Sequence, residues 1–138
     1  MYYIKSIMKN TIFKLTEYVY YFSLLVLLIL YLFPGSLIGY FLYGNLGQQP
    51  NLIANPSGTS INHLIFFSYI TLLAIIVRLR IKNTFTNYLF IMFISCVLEI
   101  SHLIVPNRAF ELYDLIANFT GVVIILLINR FIKWQKHP

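Results

Sequence analysis

Four long apolar runs dominate the sequence and restrict the chain to folds that a membrane tolerates. Only 10% of its 138 residues are charged, whereas 59% are hydrophobic. Because soluble domains carry charges on roughly a quarter of their residues, this composition excludes an ordinary water-soluble globule. A backbone in lipid must satisfy its own hydrogen bonds, so runs of this length predict spanning α-helices. We therefore expect an all-α membrane protein.

Breaks between the apolar runs set the expected helix boundaries. At about 20 residues per span, the chain holds four spans in one domain. The segment 44–60 has no charge and is rich in Gly, Pro, Asn and Gln, which predicts a loop. Pro106 closes the third run because proline cannot continue the helical hydrogen-bond ladder. We expect a four-transmembrane-helix bundle over residues 1–138, with helices at about 15–33, 60–77, 86–105 and 114–132 and an outer loop at 44–60.

Basic residues indicate how the predicted bundle is oriented. Cytoplasmic loops of membrane proteins are enriched in Lys and Arg. With cytoplasmic N- and C-termini, four spans place nine of the ten basic residues inside and only Arg108 outside. The nine are Lys5, Lys9, Lys14, Arg78, Arg80, Lys82, Arg130, Lys133 and Lys136. This pattern predicts a multi-pass protein of the cell (plasma or bacterial inner) membrane. The charges are dispersed, so the net charge of +6 does not indicate nucleic acid as a partner.

Two polar stripes interrupt the third and fourth predicted helices near their outer ends. Glu99 and His102 are three residues apart and share one face of the third helix. Asp114 and Asn118 are four residues apart and share one face of the fourth. The short turn that carries Arg108 makes these helices antiparallel neighbours. Since a carboxylate inside a membrane costs about 2.5–3.5 kcal/mol, such residues are functional candidates by default.

His63 starts the second predicted helix on the same outer side, so four segments converge on one outward-facing polar pocket. The ligand-binding candidates are His63, Glu99, His102, Arg108, Asp114 and Asn118. An alternative interpretation is purely structural. In it Arg108 pairs with Glu99 or Asp114, and Asp114 caps the fourth helix. Asn118 and Gly121 then let two helices approach closely.

Catalytic and cofactor motifs fit the sequence less well. Glu99 and His102 have the spacing found in di-iron bundles, but a second such motif is missing. With His63 and Asp114 they offer four ligands to a single metal ion, an alternative that stays open. No metal or cofactor is assigned. A serine hydrolase is not favoured, because Ser101 lies one residue from His102 and points elsewhere. Whether the protein is an enzyme stays open.

Three short motifs among these residues have a counterpart in a known family. They are Glu99-Ile-Ser-His102, Pro106-Asn107-Arg108 and Asp114-Leu-Ile-Ala-Asn118-Phe-Thr-Gly121, with His63 and a Phe-rich run ahead of them. Together they resemble the signature of the VanZ-like family of small bacterial membrane proteins. Two positions differ from that signature: Thr59-Ser60 replaces an Asp-Lys pair, and His102 stands where Gln is frequent.

The resemblance implies a role in the cell envelope. The founding member of the family is associated with low-level resistance to the glycopeptide teicoplanin. We expect an outward pocket that binds a lipid-linked or cell-wall-related polar group. Expected partners are membrane lipids and either a lipid-linked envelope precursor or a membrane protein. The competing expectation is a non-catalytic accessory subunit of a membrane complex, whose polar network only stabilises the bundle.

Overall fold

The computed structural model describes residues 2–50 and 60–136, and this part of the chain is helical. Its elements are α1 (Tyr2–Leu32), α2 (Leu37–Tyr43), α3 (Ser60–Arg78), α4 (Tyr88–Ser101) and α5 (Leu112–Lys136). The described residues contain no strand. The all-α prediction is therefore confirmed for them.

Helix α1 begins at Tyr2, well ahead of the predicted start near residue 15. No Gly or Pro precedes Pro34 in the sequence, so nothing interrupts the helix before that point. The helix ends at Leu32, because a residue directly before proline is disfavoured in the helical conformation. The basic lead-in of the chain is thus part of the first helix and not a separate segment.

Helix α2 is an element that the sequence interpretation did not predict. Ser36 caps it by accepting a hydrogen bond from the Gly39 N–H at 2.9 Å. Gly44 ends it with a φ of 68°, a conformation that glycine adopts without strain. The predicted outer loop at 44–60 therefore follows a short helix. Within that loop, residues 51–59 lie outside the described part of the chain.

Helix α4 is shorter than the predicted helix at 86–105. Asn87 caps its start by accepting from the Leu89 N–H at 3.1 Å. At its end the N–H of His102 bonds back to the carbonyl of Glu99, three residues earlier, which marks a tightened last turn. Turns continue through the apolar residues up to Pro106. Helix α5 starts two residues before the predicted 114 and extends four residues beyond 132.

The helices α1, α3, α4 and α5 alternate in direction, so four of their ends meet. Arg108, which follows α4, donates to the carbonyl of Leu30 at the end of α1 at 2.6 Å. His63, near the start of α3, lies 3.3 Å from Asp114, near the start of α5. We call this end of the bundle the polar end. At the opposite end, residues 79–87 connect α3 to α4.

Gly121 lies in the most extensive helix contact, between α3 and α5. A Cβ atom at Gly121 would lie 2.5 Å from the Leu64 carbonyl oxygen and 3.0 Å from the Ser68 backbone nitrogen. The Ser68 hydroxyl also donates to the Gly121 carbonyl at 3.2 Å. The close helix approach that the sequence interpretation expected at Gly121 therefore lies between α3 and α5.

The outer surface of the bundle is apolar, with large side chains such as Phe22, Phe93 and Leu127 more than half exposed. In the described residues, three stretches are long and apolar enough to cross a membrane. They are Asn10–Leu32, Ser60–Arg78 and Leu112–Gln135. Helix α4 is apolar but has 14 residues, about 21 Å. These features confirm a helical protein of the membrane type.

Candidate functional site

The structure brings all six candidate residues together at the polar end. Glu99 and Asn118 are fully buried, and His102 and Asp114 are nearly so. His63 and Arg108 lie at the edge of the group with partial exposure. Because the residues come from α3, α4, α5 and the turn between the last two, the cluster exists only in the assembled bundle.

His63 connects three helices through both nitrogens of its ring. Its Nδ1 lies 2.6 Å from the hydroxyl oxygen of Tyr31 in α1 and 4.0 Å from Oε2 of Glu99. Its Nε2 lies 3.3 Å from Oδ2 of Asp114. The other oxygen of Asp114 accepts a hydrogen bond from Ser60 at 2.5 Å. The Asp114 carboxylate therefore faces α3, and these contacts differ from the helix cap that the structural interpretation assigned to it.

Glu99 is fully buried, and among the described residues only one of its two carboxylate oxygens has a hydrogen-bond partner. Its Oε1 accepts a hydrogen bond from the backbone N–H of Glu111 at 3.2 Å and lies 3.3 Å from Nδ1 of His102. Its Oε2 has no hydrogen-bond partner among the described residues. A buried carboxylate oxygen without a partner is costly, so Oε2 is available to a ligand.

Tyr31 is a central member of the cluster that the sequence interpretation missed. Its ring stacks on His102, with 5.1 Å between ring centroids and 16° between planes. Its hydroxyl donates to Oδ1 of Asn118 at 3.4 Å. The available signal is periodicity, since Tyr20, Leu27 and Tyr31 follow a heptad-like spacing and are the buried hydrophobic residues among the α1 side chains that the structure describes.

Arg108 contacts the end of α1 and forms no ion pair with a described residue. Its Nη2 donates to the Leu30 carbonyl, one of the last-turn carbonyls that a helix leaves unsatisfied and that a cation stabilises. Among the described residues, no carboxylate oxygen lies within 4.0 Å of it. The pairing with Glu99 or Asp114 expected for a purely structural network is therefore absent from this set.

The partly buried Arg108 guanidinium has fewer hydrogen-bond acceptors than it has N–H donors among the described residues. Its Nε is buried without a hydrogen-bond partner in the described part of the chain. Loss of hydration lowers the pKa of Arg108, while nearby Tyr31, Glu99 and Asp114 act in the opposite direction. A guanidinium in this situation gains most from an anionic hydrogen-bond acceptor.

A tight turn sets the position of Arg108. Its backbone N–H bonds to the Val105 carbonyl at 3.3 Å, and Asn107 has a φ of 57°. Proline at the second position and a positive-φ asparagine at the third are typical of a type II turn. The Pro106-Asn107-Arg108 motif thus reverses the chain after α4 and directs the guanidinium back to α1.

A cleft of about 130 Å³ opens beside the cluster. Its wall combines apolar side chains with polar ones from α3, α4 and the turn before α5. The apolar ones are Leu27, Leu30, Leu37, Ile38 and Phe66, and the polar ones include Ser36, Asn62, His63, His102 and Arg108. This amphipathic lining suits a ligand that has an apolar part and a charged part.

Ser95 and Ser101, the two serines of α4 near His102, are not arranged as nucleophiles. The hydroxyl of Ser95 donates to the Met92 carbonyl at 2.8 Å, and that of Ser101 donates to the Leu98 carbonyl at 2.5 Å. Both hydroxyls are thus held by their own helix, with no base in contact. The geometry of these two serines therefore does not support acyl transfer.

An apolar helical bundle with a buried polar cluster at one end defines the class: in its described part, the chain is a helical protein of the membrane type with a polar site at one end. Comparison of the chain with protein-family models, with curated proteins and with solved structures gives no match.

Proposed function

We propose that the chain is a VanZ-like protein of the bacterial cell membrane whose cleft binds the anionic head group of a lipid-linked envelope component. In this proposal the protein crosses the membrane four times, with both termini in the cytoplasm and the polar end outside. No catalytic step is part of the proposal.

Helix α4 supplies the fourth span. It connects, through short segments, to α3 and α5, both long enough to cross. Its 14 residues are short for a hydrocarbon core of about 30 Å. The turns up to Pro106 extend it with the apolar residues Leu103, Ile104 and Val105. The distribution of Lys and Arg then supports cytoplasmic termini.

The lining of the cleft carries the proposed binding function. A lipid chain fits the apolar wall, and an anionic head group fits Arg108, whose Nε is buried without a partner among the described residues. His63 and His102 line the same cleft as further hydrogen-bonding groups. A phosphate is the expected anion, because guanidinium groups bind it through paired hydrogen bonds.

Binding of an alkyl phosphate tests the proposal. Purified protein in neutral detergent is mixed with dodecyl phosphate or with uncharged dodecanol, and bound molecules are counted by native mass spectrometry. Hydrogen bonds to charged groups contribute about 1.5–3 kcal/mol, so Arg108→Gln should weaken dodecyl phosphate binding about tenfold or more. Arg130→Gln, which removes an exposed arginine of α5, is the matched control and should bind as the parent does.

Arg108→Lys is a second variant that controls for loss of folding, since it keeps the positive charge beside the last turn of α1. It should retain most of the phosphate binding. Equal binding of dodecyl phosphate and dodecanol by the parent protein would overturn the proposal, as would full binding by a folded Arg108→Gln variant.

A second candidate is the non-catalytic accessory subunit, in which the polar cluster only holds the bundle together. The observation in its favour is that Arg108, His63 and Asp114 each bridge different segments of the chain. In that case Arg108→Gln lowers stability, and the parent shows no preference for phosphate over the alcohol.

A further inference from the structure

We propose that His63, Glu99 and Asp114 form a binding site for a divalent transition-metal ion of the Zn²⁺ type. The proposal goes beyond the anion-binding function and does not rest on it. The sequence interpretation assigned no metal but left open a single ion held by these three residues together with His102. One candidate ligand atom from each residue lies within 4.8 Å of the others.

Each of the three side chains turns a candidate ligand atom toward the other two. Oε2 of Glu99 is buried and has no hydrogen-bond partner in the described part of the chain. Nε2 of His63 and Oδ2 of Asp114 are 3.3 Å apart. Two ligands bound at about 2.0–2.1 Å to a tetrahedral ion are separated by roughly this distance. Oε2 of Glu99 lies 4.0 Å from Nδ1 of the same His63 ring, so Glu99 would have to move toward Nε2 to complete a three-ligand site.

Each proposed ligand is oriented by a second residue through its other polar atom. Tyr31 contacts Nδ1 of His63, Ser60 donates to Oδ1 of Asp114, and the Glu111 N–H donates to Oε1 of Glu99. Metal ligands in proteins are held in this way, with the second nitrogen of a histidine engaged by an outer partner. The contact with Tyr31 leaves Nε2 of His63 as the ligating nitrogen.

The charge balance at the polar end favours a cation. Glu99 and Asp114 bury two carboxylates, and no described Lys or Arg nitrogen lies within 4.0 Å of either one. Burying ionised carboxylates without compensation is expensive. A divalent ion would neutralise both. The set of one imidazole and two carboxylates suits Zn²⁺ or Mn²⁺ better than Mg²⁺ or Ca²⁺, which prefer oxygen ligands alone.

Three protein ligands leave one position open on a tetrahedral ion, which is the arrangement of reactive metal sites. His63 is the ligand that also lines the cleft. A bound ion would thus be separated from the cleft only by the His63 side chain, and Arg108 lines the same cleft.

The test is direct measurement of Zn²⁺ binding by the full chain in detergent. The protein is stripped with a chelator, titrated with Zn²⁺ against a chromophoric competitor, and its metal content is measured by mass spectrometry. We expect one ion per chain. Asp114→Asn and His63→Gln should each weaken binding at least about 100-fold, and Tyr31→Phe should weaken it about tenfold, as expected for an outer partner.

Glu111→Gln is the matched control, because Glu111 is exposed and contacts Glu99 through its backbone only. It should bind Zn²⁺ as the parent does. Co²⁺ provides a measurement on the unmodified chain, which is independent of how the variants fold, and should give the visible absorption of a tetrahedral site. Failure of the parent to bind Zn²⁺, or undiminished binding by folded Asp114→Asn and His63→Gln variants, would overturn the proposal. Because the metal alone is the probe, its failure is separate from a failure of phosphate binding.

Discussion

Some charged residues at the polar end are in direct contact with each other, whereas others lie in the same cluster without a direct contact between their charged groups. His63 and Asp114 are 3.3 Å apart, whereas Arg108 donates to a backbone carbonyl and not to a carboxylate. Free energies of unfolding should reflect this difference, because coupling between mutations depends on direct contact and on shared partners.

A pair of double-mutant cycles tests this division. The cycle of His63→Gln with Asp114→Asn should give a coupling free energy of about 0.5–3 kcal/mol, as for residues in contact. The cycle of Glu99→Gln with Arg108→Gln should give a smaller value. The measurement is reversible unfolding in mixed micelles, with metal chelator present throughout. Larger coupling in the Glu99–Arg108 cycle would contradict the contacts described here.

Among single residues, the sequence could identify the charged members of the cluster but not Tyr31. A charge in an apolar run is conspicuous because burying it is costly. Tyrosine residues occur both at membrane interfaces and between packed helices, and the chain contains 11 tyrosines. The spacing of Tyr31 with Tyr20 and Leu27 places it on one face of α1, but only the packing of α1 in the bundle determines that this face is the buried one.

For the helices, the sequence predicted which residues share a helix face more accurately than it predicted where each helix begins and ends. The spacing of Glu99 with His102, and of Asp114 with Asn118, predicted shared faces, because the helical period fixes them. The extent of α1 was underestimated, since its polar first half lacks the apolar signal although it lacks helix breakers too. Helix α2 was missed because seven residues are too few to show a period.

The contact between α3 and α5 leads to a prediction about Gly121. Gly121→Ala should lower the free energy of unfolding by about 1–3 kcal/mol, because an added methyl group forces the two backbones apart. The matched control is Gly47→Ala, where the nearest atom to a new Cβ is a side-chain oxygen of Asn45 at 3.4 Å. It should be nearly neutral. Equal effects of both substitutions would show that the α3–α5 approach is not as close as described.

The whole molecule must place its polar end on one side of the membrane. With Cys96 replaced by Ala, Gln48→Cys should react with an impermeant thiol reagent added to intact cells, because Gln48 is exposed near the polar end. Lys82→Cys, exposed at the opposite end, should react only after permeabilisation. The reverse pattern would invert the proposed orientation, and labelling of both sites in intact cells would contradict it.

The hydrogen bond from the Glu111 N–H to Glu99 also bears on how the chain enters a membrane. Both residues belong to the hairpin of α4, its turn and α5. An isolated α4 would carry into lipid a carboxylate with only the neighbouring His102 as a partner, and a carboxylate there costs about 2.5–3.5 kcal/mol. The hairpin supplies one partner for that carboxylate from its own backbone, before any other helix arrives. Insertion of α4 and α5 together, as one unit, is therefore favoured over insertion of α4 alone.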